Sequence, residues 1–325
     1  MTGELTTMMT RRGFLSGLAA AAAAPKLFAA AAGDFDERLA VFLSDLHVSG
    51  LDADPKTGKP LKTHPREWLR RSVAEILKMT PLPRHVFVFG DIAYLQGRVQ
   101  DYRCSYGELK LLVDAGIKLT LGLGNHDHRK AFLEVWPEYE QRTVVPGFIH
   151  TVTSLPDFDL IMLDTLDEKE GVNTFNPVAG ALGKAAQDWI LAELPKWHRP
   201  FVLGAHHSPW ELKFEKGKKR LAERLAQFPM CRGFVHGHDH LWKTELVSWK
   251  DARALPLLTL PSNGFWGDIG YATFRSVATG KRKVATAALV QKDFFLGAPV
   301  PTAERQPDWD LRLGDNQGRR CGFAI

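Results

Sequence analysis

Short apolar runs recur along the chain, and most of them end in a cluster of polar residues. Six such runs are RLAVFLSDLH, HVFVFGD, IKLTLGLGNHD, FDLIMLDT, FVLGAHH and GFVHGHDH, which begin at residues 38, 85, 117, 158, 201 and 233. Runs of this length and apolar character are typical of buried strands. Each run therefore predicts a strand whose carboxyl end carries the polar side chains.

Segments with helical periodicity lie between these strands. Apolar side chains recur at the spacing of one helix face in REWLRRSVAEILKM, and further helices are predicted for YGELKLLVDAG, KAAQDWILAEL and KRLAERLAQF. Alternating strands and helices predict an α/β fold, in which functional side chains follow the carboxyl ends of strands. After His240 the pattern becomes more β-like, which predicts a second sheet. Residues 301–325 resemble a surface tail.

Residues 1–32 form a separate segment. Arg11 and Arg12 precede an apolar, alanine-rich run at residues 14–24, and small residues suitable for cleavage follow. This pattern, in the form T-R-R-x-F-L, is typical of a twin-arginine export signal. The run is shorter than the roughly 20 residues of a membrane span. We therefore expect export by the twin-arginine machinery, cleavage between Ala29 and Gly33, a periplasmic or secreted location, and no stable membrane span.

Composition and charge are those of an ordinary globular protein and do not indicate a nucleic-acid partner. The chain is 45% hydrophobic and 24% charged, which is ordinary for a globular protein. Its formal net charge of +5 is too small to indicate nucleic acid as a partner. Cys104, Cys231 and Cys321 are scattered, with no CxxC motif. An oxidising compartment would permit one disulfide among them, but their spacing does not choose the pair.

The polar clusters at the strand ends contain the residue types of metal sites. They comprise Asp45 and His47; Asp91; Asn125, His126 and Asp127; His206 and His207; and His236, His238, Asp239 and His240. A lone aspartate after a strand is usually a turn or cap residue, but five clusters that all end strands indicate a shared site. Carboxylate, imidazole and amide donors suit divalent Mn, Fe or Zn, and the absence of cysteine argues against structural zinc. About seven ligands would hold two ions bridged by one carboxylate.

Together these motifs resemble the calcineurin-like metallophosphoesterases. D-x-H, GD, GNHD, H-x-P and GHxH occur in that order between Leu39 and Asp268, within a predicted catalytic domain of residues 33–300. The resemblance implies a four-layer α/β/β/α sandwich with a dinuclear metal centre. It implies that Asp91 bridges the two ions, with Asp45, His47 and His240 on the first and Asn125, His207 and His238 on the second. His126 would then face the scissile phosphate and protonate the leaving oxygen, with Asp127 orienting its ring.

Two positions leave an alternative. In AHHSPW either histidine suits a ligand, and the H-x-P pattern selects His207, which puts His206 behind the ligands. GDIAY also resembles the G-D-x-x-Y of purple acid phosphatases, in which the tyrosine binds ferric iron. Because His47 of the D-x-H motif fills that coordination position here, we expect Tyr94 to pack near the centre without binding metal.

The spacing from GNHDHR to HHSPW is similar to that in bacterial cyclic-nucleotide and glycerophosphodiester phosphodiesterases. This resemblance implies that a metal-activated hydroxide hydrolyses a small-molecule phosphodiester. A phosphomonoesterase similar to the purple acid phosphatases is the alternative. A non-catalytic scaffold of the same fold is a third reading, although such proteins typically lack ligands or the acid histidine that are present here. The stretch NGFWGD, residues 263–268, either lines the substrate pocket or supplies core aromatic rings.

Overall fold

The computed structural model describes residues 34–51, 53, 58, 65–168, 180–248, 253–264, 266–279, 282–292, 311–312 and 318–325. The predicted export signal and most of the predicted tail lie outside these residues. No helix in the described part of the chain is long and apolar enough to cross a membrane.

The strands and helices alternate through the first two thirds of the chain. The strands are β1 (Phe35–Leu43), β2 (Leu82–Phe89), β3 (Lys118–Gly122), β4 (Thr151–Ser154), β5 (Asp159–Met162), β6 (Phe201–Ala205), β7 (Lys213–Phe214), β8 (Lys219–Arg220), β9 (Cys231–His236), β10 (Lys243–Val247), β11 (Leu255–Thr259), β12 (Gly267–Asp268), β13 (Tyr271–Thr279), β14 (Arg282–Val290), β15 (Leu311–Arg312) and β16 (Arg320–Ala324). The helices are α1 (Pro65–Leu77), α2 (Val99–Asp114), α3 (Arg129–Val135), α4 (Tyr139–Arg142), α5 (Lys184–Glu193) and α6 (Ala222–Leu225), with a short 3₁₀ turn at Leu194–Lys196.

Two six-stranded sheets hold most of these strands. The first has the order β16-β14-β13-β1-β2-β3, and the second has the order β10-β11-β9-β6-β5-β4. Strands β1, β2 and β3 are parallel, as are β5, β6, β9 and β11. Because the carboxyl ends of parallel strands lie at one edge of a sheet, the polar clusters after β1, β2 and β3 are brought together. The clusters after β6 and β9 share an edge of the second sheet for the same reason.

The alternation of side chains within β1 produces the layers. Ala40 and Phe42 face the second sheet and pack in an apolar core that includes Phe274. Val41 and Leu43 point to the opposite face, where they pack with apolar residues of α1 and α2. A third core covers the outer face of the second sheet and includes residues of α5 and α6. The four-layer α/β/β/α architecture implied by the sequence resemblance is therefore confirmed.

The structure differs from the expected elements after His240. Strands β10 and β11 extend the second sheet, whereas β13, β14 and β16 extend the first, so these strands do not form a sheet of their own. The end of the expected surface tail is β16, which pairs with β14. Cys321 and Phe323 alternate with exposed residues along β16 and are buried. This alternation over five residues is too short to stand out among the charged residues before it.

The predicted helix in KRLAERLAQF is also shorter than expected. Its first two residues form β8, and only the turn of α6 is helical. The N–H of Leu221 donates to the carbonyl of Leu212 at 3.0 Å, which continues the β7–β8 hairpin past the point where a helix would begin. Cys104, Cys231 and Cys321 are all free thiols.

Replacing Phe42 tests the core between the sheets. Its side chain is fully buried and stacks on Phe274 with ring centroids 4.6 Å apart. Loss of a buried phenyl ring costs about 3–5 kcal/mol, so Phe42→Ala should lower the free energy of urea unfolding by that amount. Phe42→Leu keeps most of the apolar volume and should lose clearly less. A loss below about 1 kcal/mol for Phe42→Ala would contradict this packing.

Candidate metal centre

Five of the predicted site residues have a left-handed backbone. Asp45, His47, Asp91, His238 and His240 have φ angles of 53°, 45°, 48°, 72° and 53°. Such a conformation costs a non-glycine residue of order 1–3 kcal/mol and persists only where its surroundings enforce it. Strain of this kind concentrates at functional sites. The backbone alone therefore marks these strand ends as more than ordinary turns.

Hydrogen bonds between loops hold these strained turns in place. The N–H of Asp45 donates to the carbonyl of Gly90 at 3.1 Å, and the N–H of His47 donates to the carbonyl of Asp91 at 2.8 Å. The N–H of His238 donates to the carboxylate of Asp45 at 3.2 Å. These bonds join the loop after β1 to the loops after β2 and β9, so they link the two sheets at the site.

Donor atoms of four side chains converge at one point. Three of these side chains form the first donor set, Asp45, His47 and His240, and the fourth is Asp91. The Nε2 of His240 lies 3.1 Å from Oδ1 of Asp45 and 3.2 Å from Nε2 of His47. The Nε2 of His47 lies 3.7 Å from Oδ2 of Asp91. Ligands placed about 2.0–2.2 Å from one ion stand roughly 3–3.5 Å apart. The first donor set therefore has spacings that suit a metal ion.

A second donor set, Asn125, His206 and His238, shares Asp91 with the first. The Nε2 of His206 lies 3.1 Å from Oδ1 of Asn125. It lies 3.2 Å from Oδ2 of Asp91 and 3.2 Å from Nδ1 of His238. The same oxygen of Asp91 thus lies near both donor sets. Residues from both sheets contribute to this arrangement.

The H-x-P pattern selected His207, and the structure places Nε2 of His206 in the second donor set. The Nδ1 of His206 donates to the carbonyl of Phe89 at 2.8 Å, which leaves Nε2 free to face the donor set. The Nδ1 of His207 instead bonds Oγ1 of Thr165 at 2.8 Å. His207 still lies beside the centre, because one of its nitrogens is within 4.8 Å of donor atoms of His206 and His238. Consecutive side chains at a strand end point in different directions. The H-x-P spacing does not indicate which of the two histidines points toward the donor set.

The charges of the centre favour a cation between its carboxylates. Burial opposes the ionisation of Asp45, but His240 and His206 lower its pKa to about 2. Burial also opposes the charged form of His206, but Asp91 raises its pKa to about 10. A positive charge is therefore stabilised where the donor atoms meet, and a divalent cation would displace the proton that provides it. The donors present fit such an ion.

His126 lies at the rim of the centre. Its Nδ1 lies 3.2 Å from the carbonyl of Leu95, so the N–H at this position donates to that carbonyl. Its Nε2 faces inward, 3.9 Å from Oδ2 of Asp91, and the side chain is 15% exposed. Leu95 has a φ of 49°, another left-handed residue. The strained carbonyl of Leu95 was not anticipated from the sequence, which carries no signal for a backbone acceptor.

The carboxylate of Asp127, which was expected to orient the ring of His126, is bonded by backbone amides and by Tyr102. Its carboxylate accepts hydrogen bonds from the N–H groups of Ile92, Ala93 and Gly124 at 3.2, 3.0 and 2.8 Å. It also accepts one from the hydroxyl of Tyr102 at 3.1 Å. Asp127 therefore ties the GNHD loop to the loop after β2, and the carbonyl of Leu95 is a hydrogen-bond partner of the His126 imidazole. Burial, with the charge of Asp91, raises the pKa of Asp127 to about 7.

Trp266 packs against His240 of the first donor set. Trp266 stacks on the ring of His240 with centroids 4.2 Å apart, and its carbonyl accepts from Nδ1 of His240 at 3.1 Å. NGFWGD thus reaches the metal centre through Trp266.

Arg129 makes two hydrogen bonds to Asp164, at 2.7 and 2.9 Å, which join the GNHD turn to the chain after β5. The sequence gave no signal for this pair, because Asp164 ends a run that resembles any other buried strand.

Comparisons with known proteins find a matching family, a related sequence and a similar fold. A model of the calcineurin-like phosphoesterase family matches residues 40–241. A probable cyclic nucleotide phosphodiesterase of Rhodopseudomonas palustris is 31% identical over 152 residues, which are 45% of this chain and 50% of that protein. The chain therefore spans about half the length of this curated relative. A purple acid phosphatase from seeds of yellow lupin (Lupinus luteus) aligns with a TM-score of 0.52 and 12% identity, over 81% of this chain and 52% of that one. At this identity the likeness concerns the fold alone.

Gly124 leaves the space that Asp91 occupies. A Cβ at this position would lie 2.2 Å from Oδ1 of Asp91, so Gly124→Ala must displace the carboxylate shared by the two donor sets. We expect Gly124→Ala protein incubated with Mn²⁺ and desalted to retain less metal per folded chain than the wild type, as measured by elemental analysis. Gly107→Ala is the control, because its Cβ would meet nothing within 4 Å. Wild-type metal content in Gly124→Ala would contradict the assignment.

Proposed function

The chain belongs to the calcineurin-like phosphoesterase family, and we propose that it hydrolyses a small phosphodiester with two divalent ions. The observation that carries the proposal is the position of Asp91 between the two donor sets. Its Oδ2 lies 3.2 Å from Nε2 of His206 and 3.7 Å from Nε2 of His47. A carboxylate shared by two sets of donors is the arrangement of two-metal hydrolases. The relative described as a probable cyclic nucleotide phosphodiesterase supports a diester as the substrate.

We assign the ligands from these distances. The first ion would be held by Asp45, His47 and His240, the second by Asn125, His206 and His238, with Asp91 between them. The mixture of carboxylate, imidazole and amide donors suits Mn, Fe or Zn. When bound, two such ions lower the pKa of a water molecule and offset the charge of the phosphoryl oxygens.

His126 would supply the proton for the leaving group. As the oxygen of water forms its bond to phosphorus, the bond between phosphorus and the leaving oxygen breaks, and that oxygen takes a proton from Nε2 of His126. The proton lost by the attacking water passes to solvent. The carbonyl of Leu95 holds the opposite nitrogen, so the ring keeps Nε2 toward the centre. General acids of this kind contribute typically 10²–10⁴-fold to the rate.

The export route rests on the amino-terminal sequence alone. We propose that the twin-arginine machinery exports the folded protein to the periplasm or beyond, since paired arginines precede a short apolar run. Amino-terminal sequencing of the protein recovered outside the cytoplasm tests this proposal. A mature chain that still begins at Met1 would contradict it.

The function is tested with a diester and a monoester of the same leaving group. Metal-loaded protein should hydrolyse bis(p-nitrophenyl) phosphate with a higher kcat/KM than p-nitrophenyl phosphate, and removal of the metal should abolish both activities. Asp91→Asn keeps the shape of the bridge but loses its charge. Because loss of a residue that only supports a ligand costs 10–100-fold, loss of the bridge should cost at least about 100-fold in kcat, with an unfolding midpoint close to that of the wild type.

Two outcomes of this experiment would contradict the proposal. Full activity in metal-free protein or in Asp91→Asn would exclude the two-metal mechanism. A higher kcat/KM for the monoester would favour the phosphomonoesterase. In that case an intense visible absorption band that disappears in Tyr94→Phe would show an iron–tyrosinate centre, whereas we expect a colourless protein in which Tyr94→Phe changes little.

His126→Ala separates proton donation from metal binding. We expect nearly unchanged metal content and a loss of roughly 10²–10⁴-fold in kcat for alkyl esters, whose leaving groups need a proton. Esters of p-nitrophenol leave as stabilised anions and should lose less. His198→Ala, an exposed histidine on another surface, should match the wild type on both kinds of ester. Loss of an ion from His126→Ala would make His126 a ligand and overturn its proposed role.

A further inference from the structure

A pocket of about 390 Å³ adjoins the metal centre at His126. Asn125 and His126 of the GNHD turn line it, and so do Gln96, Arg98 and Lys130. None of these last three residues belongs to a donor set, and none was singled out by the motifs of the sequence. The pocket is large enough for a substituent of a small ester but has no role in the chemistry described so far.

Two of the three carboxylates that line this pocket have basic partners. Glu168 pairs with Nε2 of His128 at 3.0 Å and with Arg129 at 3.1 Å. Glu134 pairs with Arg103 at 3.1 Å. The third, Asp127, is buried and accepts hydrogen bonds from backbone N–H groups.

The two cations of the pocket make no such close ion pair in the part of the chain that the structure describes, although the carboxylate of Asp101 accepts the backbone N–H of Arg98 at 3.2 Å. The guanidinium of Arg98 donates to the side-chain carbonyl of Gln96 at 2.7 Å, a contact that orients it without offsetting its charge. Lys130 is exposed, and no carboxylate among the described residues lies within 4.0 Å of its ammonium. The same holds for Arg98 within the described chain. Two cations that form no ion pair within 4.0 Å among the described residues thus line a pocket beside the proposed acid.

The lining is poorly suited to a nucleobase as the substituent. Among the described residues of the lining there is no Phe, Tyr or Trp. Nucleobases bind mainly by stacking on such rings, so the wall is poorly suited to a base. Arginine, lysine and carboxamide groups instead suit carboxylate or phosphate oxygens.

Resting on the proposed function, we propose that this pocket binds an anionic group carried by the leaving alcohol. The leaving oxygen must lie near Nε2 of His126 to receive its proton. A substituent on that oxygen then extends past His126 into the pocket, toward Arg98 and Lys130. The substrate class is therefore a phosphodiester whose leaving alcohol carries a carboxylate or a second phosphate.

Matched synthetic diesters test this specificity. The probes are methyl 4-carboxyphenyl phosphate, methyl 4-phosphonophenyl phosphate and the neutral methyl 4-carbamoylphenyl phosphate. Loss of one charge-assisted hydrogen bond is worth about a factor of 10 or more. In Arg98→Gln and in Lys130→Gln, the kcat/KM of each anionic probe relative to the neutral probe should fall about 10-fold. The anionic probe with the larger fall identifies which anion the pocket prefers. Lys184→Gln, which removes a lysine on α5 paired with Asp188, should leave both ratios at their wild-type values.

Binding gives a second readout that does not need activity. Saturation-transfer NMR on the wild-type protein should detect 4-hydroxybenzoate more strongly than 4-hydroxybenzamide, and Arg98→Gln should reduce this difference. Equal changes in all three esters would show that the cations act on the reacting phosphate, and unchanged ratios would show that they do not touch the substrate; either result overturns the pocket assignment. If no ester is hydrolysed, the proposed function fails. Preferential binding of 4-hydroxybenzoate would then still support the assignment of the pocket to an anionic group, and equal binding of the two compounds would contradict it.

Discussion

The buried carboxylate of Asp91 is the contact on which the rest of the site depends. Its Oδ1 accepts the N–H of His126 at 2.9 Å, while its Oδ2 faces His206 and His47. One side chain thus touches the loops after β1, β3 and β6. A buried carboxylate without compensating charge would cost several kcal/mol, so positive charge must be supplied at this point. A proton on an imidazole provides it in the protein alone, and the proposed ions would provide it in the working enzyme.

The fold is arranged so that this carboxylate can be shared. Parallel strands deliver their polar ends to one edge of each sheet, and the aromatic core around Phe42 and Phe274 keeps the two sheets face to face. The left-handed turns at Asp45 and His238 then aim side chains from opposite sheets at one another. Each strained turn costs of order 1–3 kcal/mol, which the hydrogen bonds between the loops and the packing beneath them must offset. Stability of the sandwich and geometry of the site are therefore coupled.

The sequence predicted an α/β fold and the positions of the polar clusters because both follow from short-range patterns, whereas the four layers were implied only by the family resemblance. Apolar runs of strand length ending in Asp, Asn or His reveal which strand ends carry chemistry. The H-x-P spacing selected His207 over His206, but that choice depends on which side chain points inward from β6, which the spacing does not contain. The family resemblance also assigned Asp127 to the ring of His126, where the structure has backbone amides and Tyr102 around that carboxylate.

Short-range sequence patterns do not predict contacts that are made by backbone atoms or between segments far apart in the chain. The carbonyl of Leu95 has no side-chain signature, and the pairing of Arg129 with Asp164 joins residues 35 positions apart. Strand β16 was missed because its five residues follow a stretch rich in Arg, Asp and Gly. Arg98 and Lys130 look like ordinary surface cations until the pocket places them beside His126.

The shared position of Asp91 is tested most directly by anomalous diffraction from crystals of the Mn²⁺-loaded protein. The account predicts two manganese peaks about 3.5–4 Å apart, one on each side of the Asp91 carboxylate, with Nε2 of His206 coordinated to the second ion. A single peak, or a second ion bound by His207 and remote from Asp91, would contradict it.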